Sequence, residues 1–383
     1  MWSSDIFLEF SRIYGSMTSY LLDQLKKPPR RLYARINTLK ASRPELLKML
    51  ENEGIEAYPD EYIDDAIYFE VEGPHPISCD TDKYVIVDAK TAVSLILGAN
   101  LYKPGVVKSS FFNEGDIIVA MTTTGLKISC LKATVSSRKL SMMSKGLIGV
   151  NISSPYKAPK ISETKVYRNG YIYMQSLPSI LTTHVLKPSY NDLIVDMNAA
   201  PGGKTSHIVQ LTRGHSRIIA FDRNRKKIEE LIKTLETLSL NINVFAIPYD
   251  SRYIHMDFDL KEKADKVLID PPCSNLGVRP LIEIVRSIKD IENLSKYQKQ
   301  FIKTAWHILK PGGLLVYSTC TLTFKENEEN ILYAVETLGF QSIEASEHVP
   351  YAEKISYKGI VSYRFSPLAN DMPGYFISLL VKP

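Results

Sequence analysis

Two cysteines in the C-terminal half stand where a thiol could do chemistry. Cys273 follows a short apolar run and two prolines in DKVLIDPPCSNLG, and Cys320 follows another apolar run in LLVYSTCTLTF. A thiol at the end of a strand is a candidate nucleophile if it is partly exposed in an electropositive setting that populates its thiolate. A free cysteine is also commonly a small buried hydrophobe. Asp270, three residues before Cys273, adds a carboxylate to the same strand end. A third segment, LIVDMNAAPGGKTSHIV, places a Gly-rich turn between an apolar strand ending at Asp196 and a helix starting near Lys204. Such a turn presents backbone N–H groups and a helix N-terminus to a ligand at the carboxyl edge of a sheet.

The Gly-rich turn admits three readings. A P-loop requires Gly where Asn198 stands, and the GxGxxG of a dinucleotide fold is absent. The third reading is an S-adenosylmethionine site, with an acidic residue closing the next strand to hold the ribose hydroxyls. Asp222, at the end of RIIAF, is placed for that role.

These segments need a scaffold that brings strand ends to one edge. After Tyr156 the sequence alternates strand-like runs with helical patterns: strands are expected at Leu193–Met197, Arg217–Phe221, Asn243–Ile247, Lys266–Ile269 and Leu314–Tyr317. Amphipathic helices such as Asn224–Leu238 and Leu294–Leu309 fall between them. The alternation predicts an α/β, Rossmann-like fold with a mostly parallel, doubly wound sheet. Residues 1–60 read as helical, in two stretches separated by Pro28–Pro29, within an N-terminal helical or α+β region at 1–80. From Tyr84 short alternating runs and turn residues predict a small β-rich module at 81–156, leaving 157–383 for the catalytic domain.

With 383 residues, 44% apolar and 23% charged, the chain has the composition of a soluble protein of two or three domains. No segment meets the demands of a membrane span, and the N-terminus lacks the pattern of a signal peptide, so a cytoplasmic protein is expected. The four cysteines show no CxxC or His-paired spacing, and His75, His207 and His215 show no ligand spacing. Free thiols and no metal are expected. The net charge of +5 is uneven: residues 1–80 hold nine Lys and Arg against 14 Asp and Glu, whereas residues 81–160 hold 11 against four. A basic module of this kind suits a polyanion, although a solvated basic face gives the same count.

NAAPGGKT, IDPPCS and YSTCT, in this order and on these elements, resemble the Sun family of RNA cytosine-5 methyltransferases. RINTLK at Arg35 to Lys40 resembles the N-terminal signature of that family, and PGYFISLLVK at Pro373 to Lys382 its closing strand. LGANLYKPGV and the Glu114–Gly115–Asp116 turn resemble a PUA domain, whose insertion is similar to the branch acting near the 3′ end of tRNA, at position 72. Two departures are Asn198, where the family commonly has Cys, and KENEEN at Lys325 to Asn330, where many relatives have a Pro-led acidic sequence.

The resemblance implies a chemistry. Carbon 5 of cytosine takes a methyl group only after a thiolate has added to carbon 6, and a base must then remove the carbon 5 proton so that the thiolate can leave. Both cysteines stand at strand ends, so the residues alone leave open which attacks. The resemblance assigns attack to Cys320 and assistance in release to Cys273. Lys204 is the candidate cation for thiolate formation, and Asp270 the candidate acceptor for the cytosine amine. S-adenosylmethionine is expected against Asn198, Ala199, Ala200, Pro201, Gly202, Gly203 and Lys204, with Asp222, Lys227, Asp250 and Asp270. For RNA, Tyr102 is the stacking candidate and Lys108, Arg138, Lys139 and Lys145 the phosphate candidates. The expected partner of this monomer is the acceptor stem and CCA end of tRNA. The alternatives are methylation of ribosomal RNA and a non-catalytic RNA-binding protein on the same fold.

Overall fold

The computed structural model describes residues 3–283 and 286–383. Its largest sheet has nine strands. The strand order across it begins Val244–Pro248, Arg217–Asp222, Leu193–Asp196, Ala264–Ile269 and Leu309–Thr319, all parallel. Tyr375–Val381 then joins Leu309–Thr319 antiparallel, followed by Ile360–Phe365 and Glu353–Tyr357. The sheet is therefore mixed rather than mostly parallel. For the outermost pair the reason is local: a two-residue turn at Lys358–Gly359 joins its flanking strands as a hairpin, and a hairpin can only be antiparallel.

Strand order reverses between Leu193–Asp196 and Ala264–Ile269, and a crevice opens beyond the carboxyl ends of a parallel sheet at such a switch point. The apolar runs that form these two strands are buried on both faces, as parallel strands covered by helices must be. The helix Arg225–Leu238 covers one face with Ile228, Leu231, Leu235 and Leu238, and Asn224 caps it by accepting from the Lys226 N–H. Ile288–Ile308 begins with a Ser287–Asp290 capping box and packs Phe301, Ile302, Ala305 and Ile308 inward.

Residues 1–60 are not uniformly helical. Helices Ser4–Tyr14 and Thr18–Leu25 are followed by a strand, Arg31–Ile36, which pairs with Ala66–Glu70 and with Ile172–Met174 in a four-stranded antiparallel sheet. Arg31–Ile36 escapes the apolar alternation of a strand because Arg35 is 1% exposed, a charged residue at a core position. Helix Arg43–Asn52 packs Leu46 and Leu50 onto this sheet.

The third sheet has six strands, between Tyr84–Val87 and Leu147–Ser153, around a core that includes Val85, Leu95, Phe112 and Ile118. The expectation of four free thiols is corrected here. Cys79, in the extended segment entering this unit, is disulfide-bonded to Cys130 on the Lys127–Ala133 strand, with Cα atoms 5.4 Å apart. Among the described residues no helix is long and apolar enough to cross a membrane.

A buried polar cluster joins the first and largest sheets. Asp65 accepts from Nε2 of His184 at 3.0 Å and of His207 at 2.6 Å, on the helices Leu177–Leu186 and Gly203–Leu211. The two rings lie 5.0 Å apart. The Arg35 guanidinium supplies the opposing charge and donates to the Gly203 carbonyl at 2.6 Å and to Ser206 Oγ at 2.7 Å. Asp65, His184 and His207 have the donor types of a metal site, which sequence spacing did not reveal. Their separations are those of hydrogen bonds, and the positive charge of Arg35 disfavours a cation beside it.

Candidate active site

Asp196 closes the central strand and is buried. Thr205 Oγ1 donates to its Oδ2 at 2.7 Å and the Asn198 N–H to its Oδ1 at 3.3 Å, so the carboxylate fastens both ends of the Gly-rich turn. Burial pushes its pKa up to about 6 against the pull of these donors and of Lys204. Gly202 caps the helix Gly203–Leu211 at φ 108°, where an L side chain would be strained and would meet Leu231.

A cavity of about 430 Å³ lies beyond this turn, and its walls include Asn198, Ala200, Asp222, Asp250, Asp270 and Cys320. Asp222 ends its strand with Lys227 Nζ 3.6 Å away, and Asp250 is clasped by Arg252 at 2.6 Å, which holds its carboxyl below the usual range. Among the described residues Asn198 Oδ1, buried here, has no partner. Its side chain thus offers this wall an acceptor. Ala199, Pro201, Gly203 and Lys204 border a neighbouring recess instead.

The two cysteines converge. Cys273 Sγ and Cys320 Sγ are 3.3 Å apart, with Cys273 buried and Cys320 partly exposed. Cys320 also lines a second cavity of about 320 Å³, bordered by Arg31, Gln175, Arg279 and Tyr375. One thiol thus faces both spaces. The loops that carry the pair are tied to each other: the Gly277 N–H donates to the Cys320 carbonyl, and Gly374 donates to the Gly277 carbonyl at 2.7 Å. A Cβ on Gly277 would fall 2.2 Å from the Gly374 oxygen, so only Gly permits this approach.

Lys204 Nζ donates to Asp270 Oδ2 at 2.5 Å. Burial pulls the Lys204 ammonium down, but Asp270 and Tyr375 outweigh it and hold the pKa above its ordinary value. Lys204 is therefore a cation paired to Asp270, rather than one aimed at a thiol alone. The Cys273 thiol is pushed well up by its hydrogen bond with Cys320 and by burial, and it keeps its proton.

KENEEN holds residues that sequence reasoning left aside. Buried Glu326 accepts from the Ser274 N–H at 2.9 Å, from Ser274 Oγ and from Gln298 Nε2, which also donates to the Pro272 carbonyl. Asn327 accepts from Thr319 Oγ1 and donates to the Thr321 carbonyl on either side of Cys320. Asn275 was also missed: its Oδ1 accepts from both thiols. On the six-stranded unit Tyr102 is 55% exposed and not part of the core. Lys108, Arg138, Lys139 and Lys145 are exposed, and the Lys103 N–H bonds Gly146, bringing the Tyr102 turn against the loop that carries Lys145.

The family described as 16S rRNA methyltransferase RsmB/F matches residues 183–381, and the RsmF/B-like ferredoxin-like domain matches residues 8–76. The chain is 36% identical over 370 residues to a tRNA (cytosine(72)-C(5))-methyltransferase of Pyrococcus horikoshii, covering 94% of this chain and 92% of the relative. It is 29% identical over 399 residues to the tRNA (cytosine(72)-C(5))-methyltransferase NSUN6 of Homo sapiens, covering 92% and 83%. The crystal structure of NSun6 from Pyrococcus horikoshii superposes with a TM-score of 0.91 at 34% identity, over 99% of this chain and 98% of that one.

Proposed function

The chain belongs to the Sun family of RNA cytosine-5 methyltransferases, and from that premise we propose that it methylates carbon 5 of cytosine 72 in the acceptor stem of tRNA. The methyl donor is S-adenosylmethionine. The observation that carries the chemistry is the thiol pair 3.3 Å apart, with Cys320 on the wall of both cavities.

The larger cavity suits the cofactor. Asp222 offers a carboxylate to ribose hydroxyls, Asp250 an acceptor toward an exocyclic amine, and the unpartnered Asn198 Oδ1 a further acceptor. Bound there, S-adenosylmethionine supplies an electrophilic methyl group. In this reading the flipped cytosine sits where the two cavities meet, with Cys320 on the wall of both and Asp270 on the wall of the larger. Cys320 Sγ adds to carbon 6 and makes carbon 5 nucleophilic, and Asp270 accepts from the exocyclic amine while Lys204 balances its charge. Release needs the carbon 5 proton removed and the Sγ–carbon 6 bond broken, with Cys273 assisting. Cys273 is buried where Cys320 is partly exposed, which fits Cys273 to a role other than initial attack.

For the substrate, we read the chain as an N-terminal part at 1–80, a PUA module at 81–156 and a catalytic part at 157–383. Tyr102 stacks on the unpaired end, and Lys108, Arg138, Lys139 and Lys145 contact phosphates. The excess of Lys and Arg at 81–160 supports that reading. The enzyme acts in the cytoplasm as a monomer.

The test is transfer of labelled methyl from S-adenosylmethionine to unfractionated tRNA, with chromatography of the digested nucleosides. The expected label is in 5-methylcytidine and is lost when the 3′-terminal CCA is removed. Cofactor binding with no label in any RNA would overturn the reading.

A further inference from the structure

We infer that the side-chain amide of Asn275 is a reversible partner of the thiol pair, accepting from both thiols at rest and donating through Nδ2 to Cys320 once that sulfur is a thiolate. The inference deepens the assignment of Cys320 as nucleophile and rests on it.

Asn275 Oδ1 accepts from Cys320 Sγ at 3.0 Å and from Cys273 Sγ at 3.3 Å. The residue adopts φ 60°, the left-handed region that Asn tolerates better than most residues, and this backbone turn aims its short side chain back at the sulfurs. A thiol needs an acceptor and a thiolate needs donors, and a carboxamide carries both on one planar group. Among the described residues Nδ2 has no protein partner, and Asn275 is exposed. A half-turn of the amide therefore breaks no other protein hydrogen bond. It exchanges Oδ1 for Nδ2 at the sulfurs when the Cys320 proton is released to water.

The surrounding charged groups leave this role open. Asp270 is held by Lys204, and Glu326 accepts from Ser274 and Gln298, so neither carboxylate can donate to a thiolate. Tyr375, Arg31 and Arg279 border the second cavity with Cys320 and Arg286 the first, and among the described residues no hydrogen bond joins any of them to its sulfur. The Cys273 thiol, which keeps its proton, is the second donor at 3.3 Å. With the amide turned, the Cys320 thiolate receives one S–H and one N–H.

The test is the pH profile of iodoacetamide alkylation at Cys320, resolved by mass spectrometry on the full chain. Asn275→Gly removes the amide and suits the left-handed backbone, while Asn275→Asp keeps the shape but only accepts. For Asn275→Gly the Cys320 profile moves up by about one pH unit, with alkylation about tenfold slower at pH 7 and equal to the parent at high pH. For Asn275→Asp the slowing at pH 7 is about hundredfold, since a fixed carboxylate also repels the thiolate. Should Asn275→Gly not fold, Asn275→Ala, which also removes the amide without adding a charge, is read in its place. Profiles that superimpose on the parent would overturn the inference, because a merely structural role changes amplitude and not the midpoint. Failure of the underlying assignment reads differently: a covalent adduct of Cys320→Ala with tRNA containing 5-fluorocytosine would displace Cys320 as nucleophile.

Discussion

Replacing Arg35 by Met asks whether the N-terminal sheet holds the cofactor turn. Arg35 is buried, and its guanidinium bonds the Gly203 carbonyl and Ser206 Oγ in the first turn of the helix after the Gly-rich loop. Burial pulls its pKa down to about 10 against the opposing pull of Asp65. Met keeps most of the volume, so the cavity left behind is small. Two hydrogen bonds from a charged donor contribute about 1.5–3 kcal/mol each, and the variant also loses the coulombic attraction between the guanidinium and Asp65. These contributions overlap, because Asp65 can relieve part of the loss by protonating. We expect destabilisation of about 4 kcal/mol and, at about 1.2 °C per kcal/mol for a chain of this length, a melting temperature lower by about 5 °C. Asp65→Asn removes the other charge, and the double variant should lose less than the sum of the singles by about 2 kcal/mol. Urea unfolding of the four proteins measures this coupling. Additivity within about 0.5 kcal/mol would refute the electrostatic coupling of Arg35 to Asp65.

Other outcomes follow from the same geometry. Burial, opposed by Asp65, lowers the His207 pKa to about 3, so the folded state leaves it neutral where the unfolded chain, with a value near 6.5, binds a proton. Its contribution is full above about pH 6.5 and is lost as pH falls toward 3, amounting to about 2 kcal/mol between pH 7 and 5. The stability-versus-pH curve of His207→Gln should be flatter over that range, and identical curves would contradict a neutral His207. At the cofactor wall, Asp222→Asn should raise the dissociation constant for S-adenosylmethionine about 10- to 100-fold by calorimetry, the loss of one charge-assisted bond. An unchanged constant would remove Asp222 from the cofactor site.

The chain reveals its catalytic sheet because those strands are short apolar runs ending in chemistry-bearing residues: Asp196, Asp222, Asp270 and Cys320 each follow one. Arg31–Ile36 was hidden by Arg35, whose burial makes sense only once Asp65 and the Gly203 turn are in place. The Asp65, His184 and His207 cluster draws on three distant segments, and no spacing encodes it. The Cys79–Cys130 bond, 51 residues apart, is illegible for the same reason. Within the site, the strand-end thiols were legible but their 3.3 Å approach was not, since it depends on Gly277 meeting Gly374. Asn275 passed as a turn residue, because its link to both sulfurs comes from a left-handed backbone that the sequence only permits.

The central claim is the division of labour between the two thiols, and trapping measures it most directly. Incubated with tRNA and S-adenosylmethionine and run on a denaturing gel, Cys273→Ala should accumulate a covalent protein–RNA adduct, because attack by Cys320 proceeds while release fails. Cys320→Ala should give none. An adduct with Cys320→Ala and none with Cys273→Ala would contradict the account and exchange the two roles.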